Sequence, residues 1–164
     1  MKHSTRWILA ASVALSLVAG SAVADHYHFG PSGGSSGAPF VDAAPDYTRI
    51  AVVRVWAGSH VDAIQLVYRG RRGFVEGRKY GGNGGRLYVF ELDRGEQITA
   101  ISGYYGRLVN GLRFHTNRRH TSPLFGTEGG AEFHYEAPRG TEIAGLHGRS
   151  GGSLDAIGVL LRER

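Results

Sequence analysis

From Thr48 to Leu161, apolar and polar residues alternate with a period of two in short runs. These are 48–56 (TRIAVVRVW), 63–68 (AIQLVY), 86–92 (RLYVFEL), 97–101 (QITAI), 112–116 (LRFHT), 142–146 (EIAGL) and 156–161 (AIGVLL). Each run is rich in β-branched or aromatic residues and is bounded by Gly, Asn, Asp or Pro, which is how half-buried strands read. No eleven-residue window sustains a 3.6-residue period, so no helix is predicted. Many short strands at regular spacing predict an all-β sandwich, barrel or prism. Upstream, residues 25–36 (DHYHFGPSGGSS) are polar and Gly/Ser-rich, and predict a flexible N-terminal segment. His26 and His28 lie in it without further ligands and read as solvated side chains.

The strand runs sit in a repeat. Gly58-Ser59-His60-Val61-Asp62-Ala63-Ile64 recurs as Gly106-Arg107-Leu108-Val109-Asn110-Gly111-Leu112 and again as Gly151-Gly152-Ser153-Leu154-Asp155-Ala156-Ile157. The copies are 48 and 45 residues apart. A second element keeps nearly the same step: Gly33-Gly34-Ser35-Ser36-Gly37, Gly81-Gly82-Asn83-Gly84-Gly85 and Gly126-Thr127-Glu128-Gly129-Gly130. One GxxxD carries no weight alone, but three phased copies interleaved with glycine loops mark a triplicated unit.

Composition changes this picture in three ways. The 26 glycines among 164 residues exceed the usual ~7% share and argue against long helices. The absence of cysteine excludes a disulfide framework, a thiol nucleophile and thiolate metal sites. The start of the chain reads as a signal peptide over 1–24: Lys2 and Arg6 are basic, 7–20 is apolar, and Ala22-Val23-Ala24 is a cleavage signal. Its removal would lower the formal charge from +5 to +3, with no basic run longer than Arg71-Arg72 or Arg118-Arg119. Nucleic-acid binding then has little support, and no membrane insertion is expected after cleavage. The localisation expected is secreted or periplasmic, and the folded domain is placed at 37–164.

A GxxxD loop beside a glycine loop offers a definite chemistry. Glycines let backbone amides approach a ligand closely. An adjacent carboxylate is acceptor-only and makes charge-assisted hydrogen bonds about twice as strong as neutral ones. Together they suit vicinal hydroxyls, as on a hexopyranose. On spacing alone the alternative stands equally: each Asp caps its own turn and the glycines only shape tight loops.

The residues from Gly33 to Leu161 resemble a jacalin-related lectin domain. The resemblance rests on 33–40 (GGSSGAPF), 101–106 (ISGYYG), 112–117 (LRFHTN), 125–130 (FGTEGG) and 148–158 (GRSGGSLDAIG). It implies the β-prism I fold, three four-stranded antiparallel Greek-key sheets with pseudo-three-fold symmetry. It also implies carbohydrate binding without catalysis, metal or cofactor. The family's primary site pairs the first glycine loop with the last GxxxD. That carries over to Gly34 and Gly37 on one side and Gly151, Gly152, Ser153, Leu154 and Asp155 on the other, with Tyr104 or Tyr105 packing on the sugar or its rim. A second site would combine Gly58, His60, Val61 and Asp62 with Gly82 and Asn83. In the third copy Asn110 replaces the carboxylate, so that site is expected to be weak or vestigial. One continuous chain around Gly37, with Ser153 beside the site, implies a mannose/glucose-type ligand; the segment Val41–Pro45 departs from the family pattern.

Two further functional classes compete with carbohydrate binding. Catalysis could be sought in the pair Asp62 and Asp155 or in a nominal triad Ser150, His147 and Asp155. The repeat puts the two aspartates in separate corners, and the triad lies along one strand and its following loop, so an enzyme is not expected. The other class is a non-catalytic envelope or extracellular interaction module that uses the same prism without sugar and forms a homo-oligomer.

Overall fold

The computed structural model describes residues 27–164; the predicted signal peptide lies outside them, as do Asp25 and His26. Twelve strands follow along the chain. The first four are β1 (Tyr27–Gly33), β2 (Ala38–Ala43), β3 (Arg49–Ala57) and β4 (Val61–Gly70). Next come β5 (Gly73–Gly81), β6 (Arg86–Glu91), β7 (Ile98–Tyr105) and β8 (Val109–Thr116). Last are β9 (Phe125–Gly126), β10 (Ala131–Glu136), β11 (Thr141–Ser150) and β12 (Leu154–Glu163).

They form three four-stranded antiparallel sheets, ordered β1-β12-β11-β2, β5-β4-β3-β6 and β10-β7-β8-β9. In each, a hairpin with a long register forms the centre and a strand returns beside it, the Greek-key order expected from the sequence. The first sheet joins the two ends of the described chain. The other two are continuous in sequence.

Alternation decides what each centre strand buries. On β3, Val53, Val55 and Ala57 turn inward, while Arg54 and Trp56 turn out. The inward residues of all three sheets meet in one core that includes Val53, Ile64, Leu66, Ile101, Leu112, Phe114, Leu146, Leu154 and Ile157. Each fully buried side chain of this size contributes roughly 1.5–3 kcal/mol. With no cysteine in the chain, that packing takes the place of cross-links.

The flexible segment expected over 25–36 is corrected by β1. Residues 27–33 pair with β12 from Tyr27↔Leu161 to Gly33↔Ala156, so the folded domain includes them rather than starting at Gly37. The Gly/Ser/Pro composition concealed an edge strand. Its side chains are mostly exposed, so no alternation is needed, and its order comes from backbone hydrogen bonds and from Ser32 Oγ bonded to Tyr135 Oη at 2.5 Å.

Candidate functional site

The three GxxxD/N loops and the three glycine loops lie at one end of the prism and repeat the same geometry. Within each GxxxD/N loop the first amide closes a tight turn: Gly58 to the His60 carbonyl at 3.0 Å, Gly106 to Leu108 at 2.9 Å and Gly151 to Ser153 at 3.0 Å. Each glycine loop is then tied to the acidic or amide residue of its own sheet. The amide of Gly34 donates to the Asp155 carbonyl at 2.8 Å, Gly82 to Asp62 at 3.0 Å and Thr127 to Asn110 at 2.8 Å.

These ties bring the side chains against glycine. At Gly37 (φ 68°) a Cβ would collide with Asp155 Oδ2 and the Ser150 backbone; at Gly85 (φ 73°) it would collide with Asp62 Oδ2 and Ala57. Both the positive φ and the close approach require glycine there. So the expected primary partners, Gly34 and Gly37 with Gly151 to Asp155, are brought together. The expected second set, Gly58 to Asp62 with Gly82 and its neighbours, is brought together in the same way.

The two carboxylates differ in surroundings. Asp155 is 5% exposed, and its Oδ2 is buried with no hydrogen-bond partner among the described residues. An unpaired buried acceptor costs roughly 1–3 kcal/mol, and more when charged, so the close packing of this oxygen on Gly37 is held at a cost in stability. Asp62 is more open, and its Oδ1 lies 3.3 Å from His60 Nε2. The same His60 nitrogen is 3.0 Å from Ser153 Oγ, which links the second loop to the first. In the third copy Asn110 Nδ2 donates to the Gly129 carbonyl at 2.8 Å, so the amide is spent within the protein.

Several residues at this end escaped sequence reasoning. Arg149 donates through Nε to the Ser36 carbonyl at 2.9 Å and through a guanidinium nitrogen to the Gly37 carbonyl at 2.7 Å, pinning the first glycine loop. Contacts between neighbouring repeats follow the pseudo-three-fold axis: Gly34 lies against the Arg107 carbonyl, Gly82 against the Gly152 carbonyl, and Thr127 Oγ1 donates to Ser59 O at 2.7 Å. Beside Asn83, the Lys79 ammonium lies 4.3 Å from the Trp56 ring centroid. None of these has a signal in the repeat, because each joins different copies or comes from outside the repeated motifs.

The aromatic partners are placed elsewhere. Tyr104 lines a recess of about 230 Å³ on the outer side of the third sheet with Ser102, Arg113, Glu132 and His134, and no residue of the Asp155 loop lines it. Tyr105 packs against the core, 6.3 Å from Phe133 between ring centroids. From that stretch of chain, the Arg107 backbone lies against Gly34 of the first glycine loop. A groove of about 250 Å³ does run beside the Asp155 loop, between 38–40, 78–81 and 150–151, with Phe40 stacked on Tyr80 at 4.2 Å.

The nominal triad does not assemble. His147 Nε2 donates to the Phe29 carbonyl at 3.0 Å, and burial holds its imidazole below the usual histidine range. His115 is likewise held low by burial, 2.8 Å from Ser102 Oγ. Ser150 is a strand residue whose backbone meets Gly37. What the loop cluster can do is accept hydroxyl protons at a carboxylate that backbone surrounds closely.

Comparison with known proteins agrees with that chemistry. The model of the Jacalin-like lectin domain matches residues 29–160. Jacalin-related lectin 3 of Arabidopsis thaliana is 36% identical over 141 residues, covering 79% of this chain; the chain spans only 22% of that relative's length. Horcolin of Hordeum vulgare is 35% identical over 139 residues, covering 80% of this chain and 94% of its own. Among solved structures, a mannose binding jacalin related lectin from Ananas comosus superposes with a TM-score of 0.73 at 30% identity, covering 85% of this chain and 99% of its own.

Proposed function

Because the chain belongs to the jacalin-like lectin domain family, whose members bind carbohydrate and are not catalytic, we propose that it is an exported lectin of mannose/glucose type. The primary site is the Asp155 loop with Gly34 and Gly37. The Asp155 carboxylate accepts protons from two neighbouring sugar hydroxyls, and amides of the 152–154 loop and of the Gly34–Gly37 loop donate to hydroxyl oxygens. No metal or cofactor takes part. The second site, Asp62 with Gly82 to Gly85, works in the same way, and the Asn110 copy contributes nothing.

The observation that carries this reading is the Asp155 loop held against the first glycine loop, with the Gly34 amide on the Asp155 carbonyl at 2.8 Å and Gly37, at φ 68°, packed on the carboxylate. The mannose preference draws support from the uninterrupted chain around Gly37, from the small Ser153 at the loop, and from the mannose-binding neighbour above. Isothermal titration of mannose and mannobiosides tests it. Wild type is expected to bind in the millimolar range usual for a shallow single-sugar site, and Asp155→Ala to lose the primary component. Binding of galactose in preference to mannose would overturn the specificity, and a folded protein that binds no monosaccharide or glycan would overturn the lectin reading.

A further inference from the structure

Arginines that stand singly or in pairs in the sequence are gathered by the fold at the end of the prism opposite the glycine loops. The β2–β3, β6–β7, β8–β9 and β10–β11 loops, the β4–β5 turn and the C-terminus all meet there. The three sheet ends form one surface. A guanidinium nitrogen of Arg162 donates to the Thr48 carbonyl at 2.8 Å, Arg69 to the Leu92 carbonyl at 3.4 Å, and the Phe90 and His120 rings lie 4.7 Å apart.

On this surface Arg71, Arg72, Arg94, Arg119, Arg139 and Arg164 are exposed and make no ion pair with an acid among the described residues. Two of the acids near them are paired, Asp93 with Arg118 at 3.4 Å and buried Glu142 with Arg49 and Arg162. Asp46, Glu91, Glu136 and Glu163 are exposed as well, so the excess of cations is local, at the β4–β5 turn where Arg71 and Arg72 stand side by side.

A recess of about 400 Å³ opens beside two of these arginines, Arg71 and Arg72, with Asp46 also on its wall, and large apolar side chains stand out around it: Tyr47 is 82% exposed, Phe74 63% and Val75 48%. Tyr47 sits in the left-handed region at φ 61°, a conformation a bulky side chain rarely adopts, and its ring faces out with the Arg71 guanidinium 5.1 Å from the centroid. Arg69 lies 5.4 Å from the Phe74 centroid. A hydrated polyanion would neutralise the arginines and leave Tyr47, Phe74 and Val75 in water. A bilayer interface accommodates both, with phosphates for the guanidinium groups and the headgroup boundary for aromatic and aliphatic tips.

We propose that this end docks peripherally on an anionic phospholipid surface, with Tyr47, Phe74 and Val75 seated among the headgroups and Arg71 and Arg72 on phosphates. The Asp155 and Asp62 loops, at the other end, then face away from the bilayer. One domain would thereby hold a glycan over a membrane.

The test is co-sedimentation of the full chain with phosphatidylcholine vesicles, with and without phosphatidylglycerol, at low and high salt. Every variant keeps the same N-terminal residues, so differences between variants isolate this end. Wild type should prefer the anionic vesicles and lose that preference in salt. Arg71→Ser with Arg72→Ser should weaken binding by tenfold or more, at about fivefold per arginine. Phe74→Ser with Val75→Ser should also weaken it severalfold, as should Tyr47→Gly, which suits the backbone at that position and therefore leaves the fold intact. Three results would overturn the proposal: no gain from phosphatidylglycerol, unchanged binding by the arginine pair variant, or unchanged binding by both apolar variants while heparin competes, which would mark a polyanion surface.

Discussion

At the scale of single residues, the loop end separates glycines needed for the fold from glycines the fold could do without. A Cβ at Gly34 would collide with the Arg107 carbonyl, a backbone atom of the neighbouring repeat that cannot swing aside. At Gly152 a Cβ would meet nothing within 4 Å. Gly34→Ala is therefore expected to cost about 1–3 kcal/mol, the usual penalty of overpacking, and Gly152→Ala to stay within about 0.5 kcal/mol of wild type in urea unfolding. Equal effects of the two substitutions would contradict the proposed packing between repeats. The three phased loops were legible in the sequence because each copy repeats its own glycines and its own Asp or Asn. Arg149 was not, nor was the contact of Gly34 with Arg107 or of His60 with Ser153. They join residues far apart in the chain, and only the closing of the prism creates them.

At the scale of elements, the third copy differs from the other two in how its glycine loop is held. The Asn110 amide donates to the Gly129 carbonyl, so its glycine loop is held by the protein itself. Asn110→Asp would replace that donor by a carboxylate facing a carbonyl oxygen. It is expected to lower stability by about 1–2 kcal/mol, as for a lost hydrogen bond with an unsatisfied partner. It should also leave the mannose stoichiometry unchanged; a gain of one binding site would show that charge alone separates this copy from the other two. Strands were legible where one face is buried and the other is not, as in β3, β7 and β8, and where a short apolar run is buried on both faces, as in β12. The strands missed by alternation are edges. β1 and β5 are exposed or half-exposed at nearly every position and carry glycine, so their pairing rests on the backbone and leaves little trace in side-chain pattern. Of the two tyrosines whose place in the chain suggested a ring beside the sugar, the sheet turns Tyr104 to an outer recess and packs Tyr105 against the core.

At the scale of the whole molecule, charge placement sets how stability responds to pH. Burial pushes the Glu96 carboxyl up. Hydrogen bonds from the Asp93 amide at 2.9 Å, the Thr116 hydroxyl at 2.7 Å and His120 Nδ1 at 3.0 Å outweigh it and leave the group below its usual range. A carboxyl depressed in the folded state stabilises above its unfolded pKa and loses that contribution as pH falls through the folded value. Asp42 is the reverse: burial raises it, only partly offset by the Tyr68 hydroxyl at 2.7 Å. Its contribution is full below the unfolded pKa and is lost as pH rises through the folded value. Glu96→Gln is therefore expected to destabilise at neutral pH, with the difference shrinking in acid, whereas Asp42→Asn is expected to stabilise at neutral pH and lose its advantage in acid. Thermal unfolding of the two variants across pH checks the opposite signs.

The same scale separates two ends, one built from backbone and two carboxylates, the other from arginines and exposed aromatic tips. Sugar binding belongs to the first, and amide chemical-shift mapping with methyl α-mannoside tests it. Saturable shifts are expected at 34–37 and 151–155, a second set at 58–62 and 82–85, and none at 106–110, 126–130 or the arginine end. Absence of shifts in the Asp155 loop, or shifts centred on the Asn110 loop, would contradict it.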